Sequence, residues 1–328
     1  MESDRRIFMR LVSLDLLRGI AAFGIVGCHL SLSPRTEVGA LVTSLCDFNV
    51  GLFAALAGFL MCGVKGWCEY ASYIKKRVLR LVPAYLFWSI VFLAFTAVFD
   101  LLLDGGRIHP RYFTGEFWFS VLFRGGSAAH LWFLACLFYA QVLMALPFGR
   151  FNREWQGVLW VIIGGAVLYG AVRIGGWYGW YPLRLLAFLM TGFGIRLLVI
   201  SNMDKLKRFS LLILVVALVA LVLHIALRGV VPGFYRDWIA VFPVLVCVAN
   251  VEVKSIRIGK IAAVLGATSM GVYLVHPLVT RGLSFFVTRQ VAAPYSASVV
   301  IGEWVVAWGI SMVGAVLMLR MPVIKRFV

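Results

Sequence analysis

SLDLLRGIAAFGIVGCH, from Ser13 to His29, decides how the chain is read. Its middle is small and apolar, yet it carries a carboxylate, a guanidinium and an imidazole. The apolar stretch near 13–32 is long enough to cross a hydrocarbon core, which takes about 20 residues of helix. Charge inside such a helix is expensive, so it should face a bundle interior and mark a pathway or a site. Asp15 stands three residues before Arg18 on nearly the same face, where the two can pair. Arg18 and His29 are eleven residues apart. At ~100° per residue that returns to within ~20° of one stripe, about 16 Å along the axis. A snorkelling Arg18 and an interfacial His29 are the plainer alternative. Neutral imidazole is the side chain suited to taking a proton from a hydroxyl near neutral pH, which makes His29 a candidate general base.

The rest of the chain extends the pattern. It has 328 residues, 62% hydrophobic and 14% charged, whereas soluble domains run nearer half apolar and a quarter charged. Ten stretches, near 13–32, 43–64, 78–103, 128–149, 155–174, 181–200, 209–228, 235–252, 265–288 and 297–319, are apolar and long enough to span. An all-α polytopic bundle is expected, a single membrane domain over 1–328 with no internal repeat. The net charge of +17 does not indicate nucleic acid, because the basic residues sort by loop instead of clustering. With the N-terminus inside, 20 of the 31 Lys and Arg fall on the cytoplasmic side and 10 outside, Arg18 being the remaining one. This positive-inside pattern puts both termini in the cytoplasm, in a cell inner (cytoplasmic) membrane, with the positive side facing anionic lipid. The six cysteines show no CxxC or Cys/His metal spacing and read as buried thiols, so no metal site and no bound cofactor are expected. IVGC before His29 is faintly like a lipoprotein cleavage box, but cleavage there would discard Arg18, so the segment reads as a retained signal-anchor. DGGRIHPRYFTGEFWFSVLF, from Asp104 to Phe123, mixes turn signals with an aromatic amphipathic piece that lies on the interface or re-enters the bundle.

Five stretches in order carry a resemblance. SLDLLRGIAAFGIVGCH has a Leu-Asp-x-Leu-Arg-Gly start with an Arg-x10-His spacing. LFAALAGFLM (52–61), YIKKRVLRLVPAYL (73–86), HLWFLACLFY (130–139) and SMGVYLVHPLV (269–279) follow. Together they resemble the acyltransferase family 3 membrane proteins over essentially the whole chain. Ala57 stands where that family usually has Ser, Met270 where Tyr is common, and Gly51 where many members carry Asp. These departures put in doubt a hydroxyl or carboxylate role in the second helix. The resemblance implies transfer of an acyl group, usually acetyl and sometimes succinyl or longer, from a cytoplasmic acyl-CoA co-substrate. The acceptor it implies is a hydroxyl of a carbohydrate or lipid-linked glycan, often at the outer face. His29 would be catalytic, supported by Arg18 and its partner Asp15.

Other residues fit this chemistry to different degrees. Arg77 and Arg80, at i and i+3, can grip one anionic ligand, and Arg suits phosphate, of which coenzyme A carries a diphosphate and a 3′-phosphate. Lys76 stands with them as a donor candidate, although Lys75 and Lys76 also fit an ordinary basic flank gripping membrane lipid. His130 and Trp132 open the fourth span, where an acceptor role and a plain interfacial belt are equally consistent. Tyr273 and His276, followed by Pro277, mark a polar notch that is either structural or catalytic. His109, His224 and Glu303 have no assigned chemistry. There is no G-x-x-x-x-G-K-[ST] and no G-x-S-x-G, so the simplest chemistry is direct transfer assisted by His29, with a covalent acyl-histidine left open. A transporter using the Asp15–Arg18–His29 line is the competing function.

Overall fold

A computed structural model describes residues 12–30, 36–61, 67–103, 110–124, 130–145, 154–176, 179–251, 255–290 and 296–327. Within them the chain is all-helical, with no strand. The α-helices in order are α1 (Val12–Cys28), α2 (Glu37–Cys46), α3 (Asn49–Phe59), α4 (Trp67–Leu103), α5 (Gly115–Phe119), α6 (Trp132–Met144), α7 (Glu154–Ile174), α8 (Arg184–Arg208), α9 (Ser210–Ala226), α10 (Gly233–Ala249), α11 (Ile256–Gln290) and α12 (Ala297–Arg320). A 3₁₀ turn at Ile324–Phe327 follows α12.

Six segments among the described residues are long and apolar enough to cross a membrane: Glu37–Phe59, Trp67–Val98, Trp155–Ile174, Tyr181–Arg208, Ile256–Ser284 and Ala297–Arg320. Four of the ten expected stretches are not among these six. Each of the other four stretches holds a helix, but α1, α9 and α10 have 17 residues and α6 has 13. At 1.5 Å per residue such helices fall short of a core about 30 Å thick.

Close approach of backbones holds the centre together. A Cβ added at Gly192 in α8 would lie 1.8 Å from Ala55 O of α3, and one at Gly58 would lie 2.0 Å from Leu189 O. Only glycine lets these two helices touch at the backbone, the usual device where lipid removes the hydrophobic drive between helices. Arg196 of α8 donates to Phe59 O and Met61 O, carbonyls that the end of α3 leaves without intrahelical partners.

A buried polar network ties four other helix ends. Asp237 in α10 receives Arg184 of α8, and His224 of α9 lies 3.8 Å from the same carboxylate. His224 Nε2 meets Ser44 O of α2 at 2.8 Å, and Arg236 Nη1 donates to His224 O at 2.9 Å. This is the end of the bundle where α1 finishes, because Cys28 packs against Cys46. The aromatic segment before α6 is tied to the bundle at two carbonyls: Tyr85, midway along α4, donates to Val121 O, and Tyr139 of α6 donates to Phe123 O at 3.2 Å. Only Val121 of the described part is buried, and Phe113, Trp118, Phe119, Leu122 and Phe123 stay exposed, so the segment lies against the bundle with an aromatic outer face.

Candidate active site

Helices α1 and α11 run side by side in the same direction, bringing Val12 near Gly259, Asp15 onto Gly266 and His29 onto His276. A Cβ at Gly266 would fall 2.4 Å from Asp15 Oδ1, so glycine makes room for the carboxylate. Asp15 and Arg18 form the ion pair that their spacing predicts, at 3.8 Å. Helix α1 stops one residue short of His29, whose N–H bonds Val26 O in a closing turn. The imidazole is thereby at the helix end and exposed, not on a helical stripe.

Three histidines from distant parts of the chain meet here. The His29 ring is 5.1 Å from that of His276, which is 5.6 Å from that of His130. His276 and His130 are buried, at 0% and 3% exposure, while His29 opens outward. Tyr273 packs against His130 and donates its hydroxyl to the His130 carbonyl. Phe92 of α4 presents an edge contact to His130 at 4.6 Å, and Phe53 and Phe133 enclose Tyr273.

Pro277 explains the state of His276. Proline has no N–H, so the carbonyl four residues earlier, Tyr273 O, loses its helical donor. His276 Nδ1 lies 2.7 Å from that carbonyl and 3.3 Å from Val272 O. A carbonyl only accepts, so Nδ1 carries the hydrogen and Nε2 holds the lone pair in the neutral ring. Among the described residues Nε2 has no hydrogen-bond partner. The pocket thus pairs an exposed imidazole with a buried one whose tautomer is fixed by the backbone.

The other candidates lie apart from this pocket. Trp132 turns to Tyr181, with ring centroids 4.5 Å apart. Arg77 lies over the Tyr73 ring at 4.8 Å, while Arg80 and Lys76 are exposed on α4. From Arg80 to Phe92 the helix climbs about 18 Å, so α4 links the basic cluster to the histidines without bringing them into contact. Gly51 is explained by its neighbour: a Cβ there would meet the Phe188 ring at 2.8 Å, and Phe188 is fully buried. An aromatic ring fills the space that an Asp side chain would need. His109 lies outside the described residues. Sequence reasoning left His276 and His130 undecided, and the Pro277–Tyr273 carbonyl relation was the signal that could have singled out His276. Among the described residues no group of three His, Cys, Asp or Glu is arranged to hold a metal ion.

Comparison with known proteins gives one match. A family model described as "Acyltransferase domain" matches residues 11–320, nearly the whole chain. No curated protein and no solved structure matches.

Proposed function

The chain belongs to that acyltransferase family, a membrane acyltransferase in general terms, and from this premise we propose that it moves an acyl group, acetyl first among them, from cytoplasmic acyl-CoA to a hydroxyl of a sugar or lipid-linked glycan at the outer face of a cytoplasmic membrane. The observation that carries the proposal is the exposed His29 imidazole backed by the buried His276 ring. His29 takes the proton of the acceptor hydroxyl as its oxygen attacks the thioester carbonyl. The tetrahedral adduct collapses, the carbon–sulfur bond breaks, and the coenzyme A sulfur leaves with the proton returned by His29. His276, with a lone pair on Nε2, is a positioning residue behind it. Asp15 seats the start of α1 on Gly266 of α11, and Arg18 pairs with it in support.

Purified protein supplied with acetyl-CoA and a glycan acceptor should form acylated product in proportion to donor. Binding and movement of a solute with no donor-dependent product would favour the transport reading of the Asp15–Arg18–His29 line. Arg77 and Arg80, with Lys76 beside them, are assigned to the donor phosphates. Arg77→Ala and Arg80→Ala should each weaken acyl-CoA binding by about 1–3 kcal/mol through loss of a charge-assisted bond. The donor KM should rise more than the acceptor KM; equal donor dependence in well-expressed variants would return both residues to lipid anchoring.

Sidedness follows from the charge split. A cysteine introduced at Ser201 should react only with a membrane-permeant thiol reagent in intact cells. Reaction with an impermeant reagent would reverse the orientation, and with it the cytoplasmic entry of the donor.

A further inference from the structure

We propose that the segment Ile324–Phe327 is part of the donor site, with Lys325 and Arg326 joining Arg77 and Arg80 in holding the phosphates of acyl-CoA. This rests on the donor reading of α4 given above and extends it to a part of the chain with no role so far. The segment does not trail away from α12. The Phe327 ring stacks on Phe87 at 4.7 Å and 9°, and Trp88 Nε1 donates to Phe327 O at 3.0 Å. In a 3₁₀ turn, residues i and i+3 eclipse one another. Ile324 and Phe327 are accordingly the half-buried pair, while Lys325 and Arg326 between them are exposed.

The docking place matters more than the docking. At ~100° per residue, Trp88 lies within ~20° of Arg77 around α4, and Phe87 within ~20° of Arg80. The segment therefore lies on the same helical surface as the two arginines, about 10–16 Å further along the axis. Beyond it, the Trp88 ring is 6.0 Å from Phe92, which touches His130. The order along α4 is arginines, docked segment, histidine pocket. A donor gripped by its phosphates at Arg77 and Arg80, with its thioester near His29, has to pass the two cations.

Charge matching points the same way. A phosphate monoester alone carries about −1.5 to −2 near neutral pH, and the diphosphate of coenzyme A adds to it. Arg77, Arg80 and Lys76 leave that charge short of balance, and two more cations on the same surface close the gap. A basic flank that merely grips lipid needs no aromatic stack and no indole hydrogen bond to hold it in place.

The test is coenzyme A binding to the full chain in zwitterionic-lipid nanodiscs, measured calorimetrically for wild type, Lys325→Ala/Arg326→Ala and Lys325→Glu/Arg326→Glu. The alanine pair should weaken binding about tenfold, the glutamate pair more, and both should flatten its dependence on salt. Acetyl-pantetheine, which lacks the phosphates, should serve as a weak donor equally well for wild type and both variants. Loss of activity with acetyl-pantetheine as well would overturn the proposal, because the segment would then be acting on the fold. Wild-type coenzyme A affinity in both variants, with Arg77→Ala impaired, would overturn it while leaving the donor reading of α4 intact. Wild-type affinity in Arg77→Ala and Arg80→Ala too would remove the donor reading itself.

Discussion

His29→Ala should slow acyl transfer by about 10²–10⁴-fold, the range expected when a positioned general base is removed. The protein should still insert and fold, because the exposed His29 ring fills no core and its backbone N–H, which closes the turn on Val26 O, remains in place. His29→Gln separates hydrogen bonding from proton transfer: it keeps a polar group at the same place but cannot act as a base, so it should be nearly as inactive. Coenzyme A binding to either variant should match wild type, since the basic residues on α4 are about 18 Å of helix away from the pocket. Single-turnover rates with saturating acetyl-CoA and acceptor make the measurement. A well-expressed His29→Ala protein that transfers acyl groups at the normal rate would refute the mechanism outright.

Asp237→Ala should cost about 3–5 kcal/mol of stability, as breaking a buried ion pair from one side does, because the remaining charge is left without its partner. Asp237 is 2% exposed and faces both Arg184 and His224, so its removal strands a guanidinium at the junction of α8, α9 and α10. Replacing both partners, as Arg184→Met with Asp237→Leu, should recover most of the loss, since no unpaired charge then remains. Thermal unfolding of detergent-solubilised protein compares wild type with both variants. An Asp237→Ala midpoint equal to wild type would show that the network carries no net stability.

What could be read from the sequence was what depends on near neighbours. Asp15 and Arg18 pair because i and i+3 meet on any helix, and each of the ten apolar stretches does contain helix. Helix ends were less legible, because hydropathy does not see where a helix stops, and α6 has 13 residues. Contacts between distant segments were likewise hidden. Nothing local to His29 indicates that its neighbour is His276, and nothing local to Gly51 indicates that Phe188 will occupy the space above it. His224 had no assigned chemistry and Asp237 was not singled out, because their partnership is made by tertiary packing. The family resemblance reached further than any of these arguments, because it rests on five motifs in order, and the match over residues 11–320 bears it out.

The break that Pro277 makes in the ladder of α11 gives the pocket a direction. With its one hydrogen committed to the Tyr273 carbonyl, the neutral His276 ring can receive a proton at Nε2 but has none to give. In the mechanism proposed above, His276 can therefore accept a hydrogen bond from His29 but cannot be the source of its proton. A substituent at 277 with a backbone N–H, as in Pro277→Ala, would compete for the same carbonyl and free Nδ1 to change tautomer. The helix would then be more regular and the His276 tautomer no longer fixed, so the irregularity in the backbone sets which way a hydrogen bond between the two rings can point.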